Sequence, residues 1–297
     1  MDGPGSCLGP FLSGMAIPRW PISAALGVSH LADRPETDMT TSPILSTQDL
    51  TVRFGGHVAV DAVTCDFHAG QLTAIVGPNG AGKTTYFNLI SGQIPASAGR
   101  VFLKGRDIGN MSVSSRTRAG IGRAFQLTNL FPNLSVLENV RLVVQAKSGR
   151  SFNLWSMVSG HQDLTDQAEA ILRRVRLLEQ RHQVVSELSH GNQRKLEVAL
   201  LIALDPAVYM FDEPTAGMSV DEAPVVLDLI EELKDQRDRT ILLVEHKMDV
   251  IRTLADRIIV LHNGALAADG PPAEVMASDV VQEAYMGRGL EGVLADV

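Results

Sequence analysis

The chain has 297 residues, a formal net charge of −8, 45% hydrophobic residues and 20% charged residues. This composition predicts a globular protein with a sizeable core. The acidic balance argues against binding to nucleic acid, which needs a dense basic surface. The two cysteines, Cys7 and Cys65, provide neither a disulfide framework nor zinc spacing, so we interpret them as free thiols in a reducing cytoplasm.

The first part of the chain does not have the pattern of a folded domain. Residues 1–38 are rich in Gly, Pro and Ser and lack the basic start of a signal peptide. We interpret residues 1–42 as a disordered extension, or the first 38 residues as a start-site artefact, since Met39 precedes the first convincing strand. No apolar run approaches the roughly 18 to 20 residues that cross a bilayer, so we expect no membrane-spanning segment.

Strand and helix patterns begin at Ile44. Alternating apolar residues predict strands over 44–54 and 58–67, joined by a Gly-Gly turn at 55 and 56. The apolar run 72–76 is typical of a buried parallel strand. A glycine-rich turn, a helix over 83–91 that ends at Gly92, and a strand over 99–104 follow.

The rest of the chain alternates between the two kinds of element. Residues 133–187 are mostly helical, and a helix over 164–179 would place five apolar residues on one face: Leu164, Ala168, Ile171, Leu172 and Val175. Helices are then predicted over 191–204, 223–234 and 248–255, and strands over 208–211, 240–244 and 257–261. This alternation predicts an α/β fold with a parallel sheet and an inserted helical block.

The most specific motif is G-P-N-G-A-G-K-T-T at 77–85, which matches the P-loop pattern between a strand and a helix. Gly77, Gly80 and Gly82 let the backbone N–H groups point at phosphate oxygens. Lys83 would reach the β- and γ-phosphates, and Thr84 would offer its hydroxyl to Mg²⁺.

A second motif supplies two carboxylates. The apolar run 208–211 is followed by Asp212 and Glu213 at the carboxyl end of a predicted strand. Asp212 is in the position of the Walker-B aspartate of P-loop NTPases, which lies beside the bound Mg²⁺ and its water ligands. Glu213 is placed to polarise the attacking water.

The motif L-S-H-G-N-Q at 188–193 resembles the signature of ABC ATPases. Together with the P-loop, D-E-P at 212–214, Gln126 after a strand-like segment at 122–125, and His246 after the strand at 240–244, its order and spacing are similar to that family over about 44–288. The resemblance implies a RecA-like P-loop NTPase core with an antiparallel β subdomain and an inserted helical subdomain. The implied ATPase domain is 43–288, with the helical part at about 127–190 and a tail at 289–297.

The resemblance also assigns roles. Phe54 would stack on adenine, Gln126 would contact Mg²⁺, and His246 would contact the γ-phosphate. Ser189 and Gly191 would close on the nucleotide of a partner subunit. The implied catalytic residues are Lys83, Glu213 and His246, and the implied metal ligands are Thr84, Gln126 and Asp212. The implied nucleotide-binding residues are Phe54, Gly77, Pro78, Asn79, Gly80, Ala81, Gly82, Lys83, Thr84, Thr85, Gln126, Ser189 and Gly191.

Departures from the family pattern indicate a branch. Positions 190 and 192 are His and Asn, and A-G-M-S at 216–219 lacks the usual Ala-Leu-Asp ending. With E-H-K-M-D at 245–249 and V-Q-E-A-Y-M-G at 281–287, they resemble ATPases for uptake of branched-chain amino acids and urea or amides. The lipopolysaccharide-export ATPase has a similar ending, so the direction of transport stays open.

The resemblance implies a transport ATPase that uses ATP and Mg²⁺ on the cytoplasmic face of a membrane. Its expected partners are permease subunits, a second ABC ATPase subunit and an extracellular or periplasmic substrate-binding protein. A non-transport ABC ATPase acting on ribosomes or DNA is the alternative, but one cassette without a long coiled-coil or zinc insertion disfavours it. A P-loop kinase leaves the signature unexplained.

Overall fold

The computed structural model describes residues 42–124, 130–149 and 162–278. The described strands are β1 Leu45–Phe54, β2 His57–Phe67, β3 Leu72–Val76, β4 Ala98–Leu103, β5 Arg106–Asp107, β6 Ile121–Ala124, β7 Val208–Asp212, β8 Thr240–Val244, β9 Arg257–His262 and β10 Ala265–Gly270. The described helices are α1 Lys83–Ser91, α2 Val113–Ala119, α3 Val136–Lys147, α4 Gln162–Arg174, α5 His190–Leu204, α6 Ala223–Asp235, α7 Met248–Leu254 and α8 Pro272–Met276.

Some predictions fall outside these residues. They are residues 1–41 of the predicted extension over 1–42, Cys7, Gln126, the motif at 281–287 and the tail over 289–297. The division into an ATPase domain at 43–288 and a helical part at about 127–190 stays a prediction.

The smaller sheet is antiparallel, with the strand order β2-β1-β4-β5. Its first hairpin turns at the predicted glycine pair, where Phe54 pairs with His57 and Gly55 has a φ of 59°. Glycine adopts this left-handed conformation without steric cost. The turn leaves the Phe54 side chain at the end of β1, 53% exposed.

The larger sheet has the strand order β10-β9-β3-β8-β7-β6. Its five strands from β9 to β6 are parallel, and β10 pairs antiparallel with β9. Every residue of β3, β7 and β8 is buried, as expected for parallel strands covered on both faces.

The core lies on both faces of this sheet, because successive strand residues point to opposite sides. In β8, Ile241 and Leu243 join an apolar cluster with helices α3 to α7. Leu242 and Val244 join a second cluster that contains α1 and the smaller sheet. The α/β prediction is therefore confirmed, and the carboxyl ends of β3, β8 and β7 meet at one edge.

The helix boundaries mostly lie within one residue of the predictions: α5, α6 and α7 each differ by one residue at one end, and only α4 differs by more. Helix α1 spans the predicted residues and ends at Gly92, whose φ is 82°. Helix α4 ends at Arg174, so the prediction of a helix over 164–179 is wrong at its end. Arg176 has a φ of 56°, and the Leu177 N–H donates to the Leu172 carbonyl at 2.8 Å, which closes the helix early.

The remaining differences concern short elements. The sequence analysis did not identify α2, β5, β10 or α8. The longest described helix, α5, has 15 residues, and within the described ranges no helix has the length and apolarity that crossing a membrane requires.

Candidate active site

The P-loop has a backbone that admits only glycine at two positions. Gly77 has a φ of 149°, and an added Cβ would lie 2.1 Å from the Leu261 carbonyl oxygen. Gly82 has a φ of 97°, and an added Cβ would lie 2.5 Å from the Ala59 carbonyl oxygen. Side chains at either position would therefore push the loop away from β2 and β9.

Lys83 begins α1 and is 6% exposed. Its Nζ donates to the carbonyl oxygens of Gly77 at 2.7 Å and Pro78 at 3.0 Å, so the ammonium lies inside the curve of its own loop. Burial lowers the pKa of Lys83, and the carboxylates of Glu213 and Asp212 oppose that shift. Thr84 and Thr85 follow in the first turn of α1.

Asp212 ends β7 in a buried ion pair. Its Oδ2 lies 2.7 Å from Nη2 of Arg123 on β6, and the two side chains are 5% and 2% exposed. Arg123 Nη1 also donates to Asn88 Oδ1 at 2.7 Å and Ser91 Oγ at 3.1 Å on α1. Burial lowers the pKa of Arg123, and Asp212 opposes that shift. Arg123 thus fixes the direction of the Asp212 carboxylate.

Glu213 and His246 form a contact beside this pair. His246 Nε2 lies 2.8 Å from Glu213 Oε1, and both side chains are about two-fifths exposed, at 41% and 43%. Glu213 has a φ of 52°, which is uncommon outside glycine and concentrates at functional sites. The sequence analysis predicted that both residues directly follow a strand. The two side chains come together because β7 and β8 are neighbours in the larger sheet.

The signature residues lie at the start of α5, in the helical layer. The Ser189 hydroxyl caps this helix by accepting a hydrogen bond from the Asn192 N–H at 3.2 Å. Gly191 is buried, and an added Cβ would lie 2.2 Å from the Glu222 carboxylate. The structure therefore places Ser189 and Gly191 on a different element from the residues around Lys83.

Comparison with known proteins agrees with this arrangement. A family model described as ABC transporter matches residues 60–216, just over half of the chain. The high-affinity branched-chain amino acid transport ATP-binding protein LivG from Escherichia coli is 34% identical over 253 residues, which cover 84% of this chain and 99% of LivG. The chain belongs to the ABC transporter family.

Two further relatives of this ABC protein support the same conclusion. BraF from Pseudomonas aeruginosa, also named as a high-affinity branched-chain amino acid transport ATP-binding protein, is 34% identical over 83% of this chain and 98% of BraF. The crystal structure of MJ1267 in its ADP conformation, an ATP-binding cassette of an ABC transporter, aligns with a TM-score of 0.70 and 28% identity. That alignment covers 83% of this chain and 100% of MJ1267.

The ABC ATPase also has an open groove of about 870 Å³ between α2, β6, α3 and α5. Apolar side chains form much of its wall, and Phe131 is 54% exposed there. Lys147 and Asp205 border the groove and form an ion pair of 2.8 Å. The main apolar residues of the groove are Ile121, Phe131, Leu142, Val143, Leu200 and Leu204.

The sequence analysis missed two polar residues of the candidate active site, Arg123 beside Asp212 and Glu245 beside His246. Arg123 lies within a segment that was predicted only as strand-like, and its partner Asp212 is 89 residues away. Glu245 directly precedes His246 and is 3% exposed. A charged residue inside an apolar strand pattern was the available signal for Arg123, because burial of an arginine requires a partner.

Proposed function

We propose that this chain binds and hydrolyses ATP as the motor subunit of an importer for branched-chain amino acids or related small polar solutes. Its likeness to LivG and BraF over nearly their full lengths supports the substrate class. The observation that carries the hydrolytic part is the 2.8 Å contact between Glu213 and His246, at the sheet edge that also presents Asp212 and the P-loop.

Nucleotide binding follows from the P-loop geometry. The N-terminal end of α1, which begins at Lys83 directly after the glycine-rich loop, favours phosphate because the helix dipole gives this end a partial positive charge. Lys83 exchanges its two carbonyl acceptors for β- and γ-phosphate oxygens. The exposed Phe54 provides an aromatic face for adenine.

The residues present fit a Mg²⁺ ion. The Thr84 hydroxyl and the Asp212 carboxylate are oxygen donors of the kind that Mg²⁺ prefers. The expected third ligand, Gln126, lies outside the described residues. Mg²⁺, when bound, neutralises charge on the phosphates.

Hydrolysis is assigned to the Glu213 and His246 pair. The Glu213 carboxylate orients the attacking water and accepts its proton, which is general-base catalysis. His246 contacts Glu213 in the described structure. In this proposal the His246 ring would also contact the γ-phosphate of bound ATP. The strained φ of Glu213 is consistent with a residue held for catalysis.

The partners follow from the two surfaces away from the P-loop. Ser189 and Gly191 at the start of α5 would bind the ATP of a second ABC ATPase subunit in a head-to-tail dimer. The apolar groove near Phe131 would receive a short segment of a membrane permease, and this contact would hold the chain at the cytoplasmic face of the membrane. An extracellular or periplasmic substrate-binding protein would complete an importer.

Glu213→Gln tests the hydrolytic assignment. The substitution retains size and an acceptor but removes the charge that draws a proton, so turnover of ATP is expected to fall roughly 10²- to 10⁴-fold. ATP affinity is expected to stay near that of the parent, and the closed dimer should accumulate on size-exclusion chromatography with ATP. Glu231→Gln, on the exposed face of α6, is the matched control. Parental turnover in Glu213→Gln would place the base elsewhere.

Transport is tested in vesicles that contain the chain with its permease and binding-protein partners. ATP-dependent accumulation of radiolabelled leucine is expected, and Lys83→Ala should abolish it. ATP-dependent release of a lipid-linked sugar without amino acid uptake would instead identify an exporter.

A further inference from the structure

A buried carboxylate connects the two loops that carry Glu213 and His246. Glu245 is 3% exposed, and its Oε1 accepts a hydrogen bond from the Thr215 hydroxyl at 2.6 Å. Thr215 is itself 2% exposed. The other oxygen, Oε2, accepts the N–H groups of His246 at 2.8 Å and Lys247 at 3.3 Å. One carboxylate oxygen therefore bonds to the loop that follows Glu213, and the other bonds to the loop that carries His246.

The positions of these contacts along the chain make them relevant to catalysis. Thr215 is two residues beyond Glu213, and Glu245 is adjacent to His246. Strands β7 and β8 bring the two segments side by side, with Asp212 opposite Val244. The Glu245–Thr215 bond and the Glu213–His246 contact thus join the same pair of loops at two points.

We propose that Glu245 is a positioning residue, which with Thr215 fixes the His246 loop against the segment that follows Glu213. This inference rests on the proposed roles of Glu213 and His246 in hydrolysis. Acceptance of the His246 N–H fixes the backbone from which the ring projects, and the Thr215 bond holds that backbone against the neighbouring loop. We call these hydrogen bonds of Glu245 with Thr215, His246 and Lys247 the tether.

The tether is tested first without nucleotide, by amide hydrogen exchange of the full chain. Glu245→Ala removes the acceptor for two N–H groups, so a peptide covering 242–250 is expected to exchange faster at His246 and Lys247. Thr215→Val should accelerate the same amides, and Thr215→Ser should restore parental exchange. Glu231→Ala is the matched control. Unchanged exchange in Glu245→Ala would overturn the tether.

The consequence for catalysis is tested by ATP turnover in the same variants. Misplacement of a catalytic group by about 1 Å can cost roughly 10²-fold in rate, so a loss of that order in kcat is expected for Glu245→Ala. KM for ATP should change less than about twofold, because the P-loop is untouched. Glu245→Met retains most of the side-chain volume without an oxygen acceptor, and it provides the same test if Glu245→Ala does not fold.

A double variant separates a positioning role from a general loss of structure. In the His246→Ala background, Glu245→Ala should lower kcat no further, since it acts through His246. A further loss equal to that in the single variant would overturn the inference. Parental turnover in His246→Ala alone would refute the role proposed for His246, and the inference would fall with it even if amide exchange showed an intact tether.

Discussion

The ion pair between Arg123 and Asp212 allows a sharp test of how the sheet edge is held together. Arg123→Met retains the length and apolar stem of the side chain but leaves the Asp212 carboxylate buried without its cation. Removal of one partner of a buried pair costs about 3 to 5 kcal/mol of stability. The exposures of 2% and 5% place this pair in that class.

This loss of stability should appear as a measurable decrease in Tm. For a domain of about this size, each kcal/mol lowers Tm by roughly 2 to 4 °C, so a decrease of roughly 6 to 20 °C is expected. Thermal unfolding is followed by circular dichroism without nucleotide or Mg²⁺, because bound ligand would raise Tm. Asp212→Asn in the Arg123→Met background removes the uncompensated charge and should recover part of the loss.

An exposed ion pair supplies the matched control. Arg174 and Glu232 are 3.0 Å apart but 34% and 55% exposed. Exposed pairs of this kind contribute about 0 to 1 kcal/mol, so Arg174→Met should lower Tm by at most roughly 4 °C. Equal shifts in Arg123→Met and Arg174→Met would refute the reasoning from burial.

Three other outcomes are expected. Lys83→Ala should abolish useful ATP binding, measured by equilibrium titration, because the loop loses its fixed cation; near-parental affinity would contradict the P-loop assignment. Ser189→Arg should retain nucleotide binding in the isolated chain but block hydrolysis, since the signature acts on the partner's ATP; loss of monomer binding would refute this division. Burial raises the pKa of Cys65 to about 11, so the folded chain retains a proton that the unfolded chain releases from about pH 9. The free energy of unfolding should therefore decrease between about pH 9 and 11 in denaturant titrations, and Cys65→Ala should show a smaller decrease.

The sequence predicted those parts of the fold that depend on local signals. Helix α1 matches at both ends, because a glycine-rich turn precedes it and Gly92 ends it. The prediction also gave β8 with the observed bounds, since the apolar run 240–244 is buried on both faces. The hairpin from β9 to β10 was missed although Asn263 and Gly264, with φ values of 50° and 81°, are a strong two-residue turn signal.

The candidate site was predictable as a set of residues but not as a set of contacts. Motif spacing identified Lys83, Asp212, Glu213 and His246 individually. The contact between Glu213 and His246 spans 33 residues and depends on which strands are neighbours in the sheet. Sequence periodicity gives strand burial, but strand order and long-range side-chain pairing come from tertiary packing.

The two carbonyl contacts of Lys83 have a consequence for the thermodynamics of ATP binding. A free lysine side chain loses about 2 kcal/mol of rotamer entropy when it is immobilised. Here the fold itself restricts that side chain, through bonds to Gly77 and Pro78. The nucleotide therefore meets a cation that is already ordered, and phosphate binding exchanges one set of oxygen acceptors for another. We expect the entropy of ATP binding to contain little contribution from the ordering of Lys83.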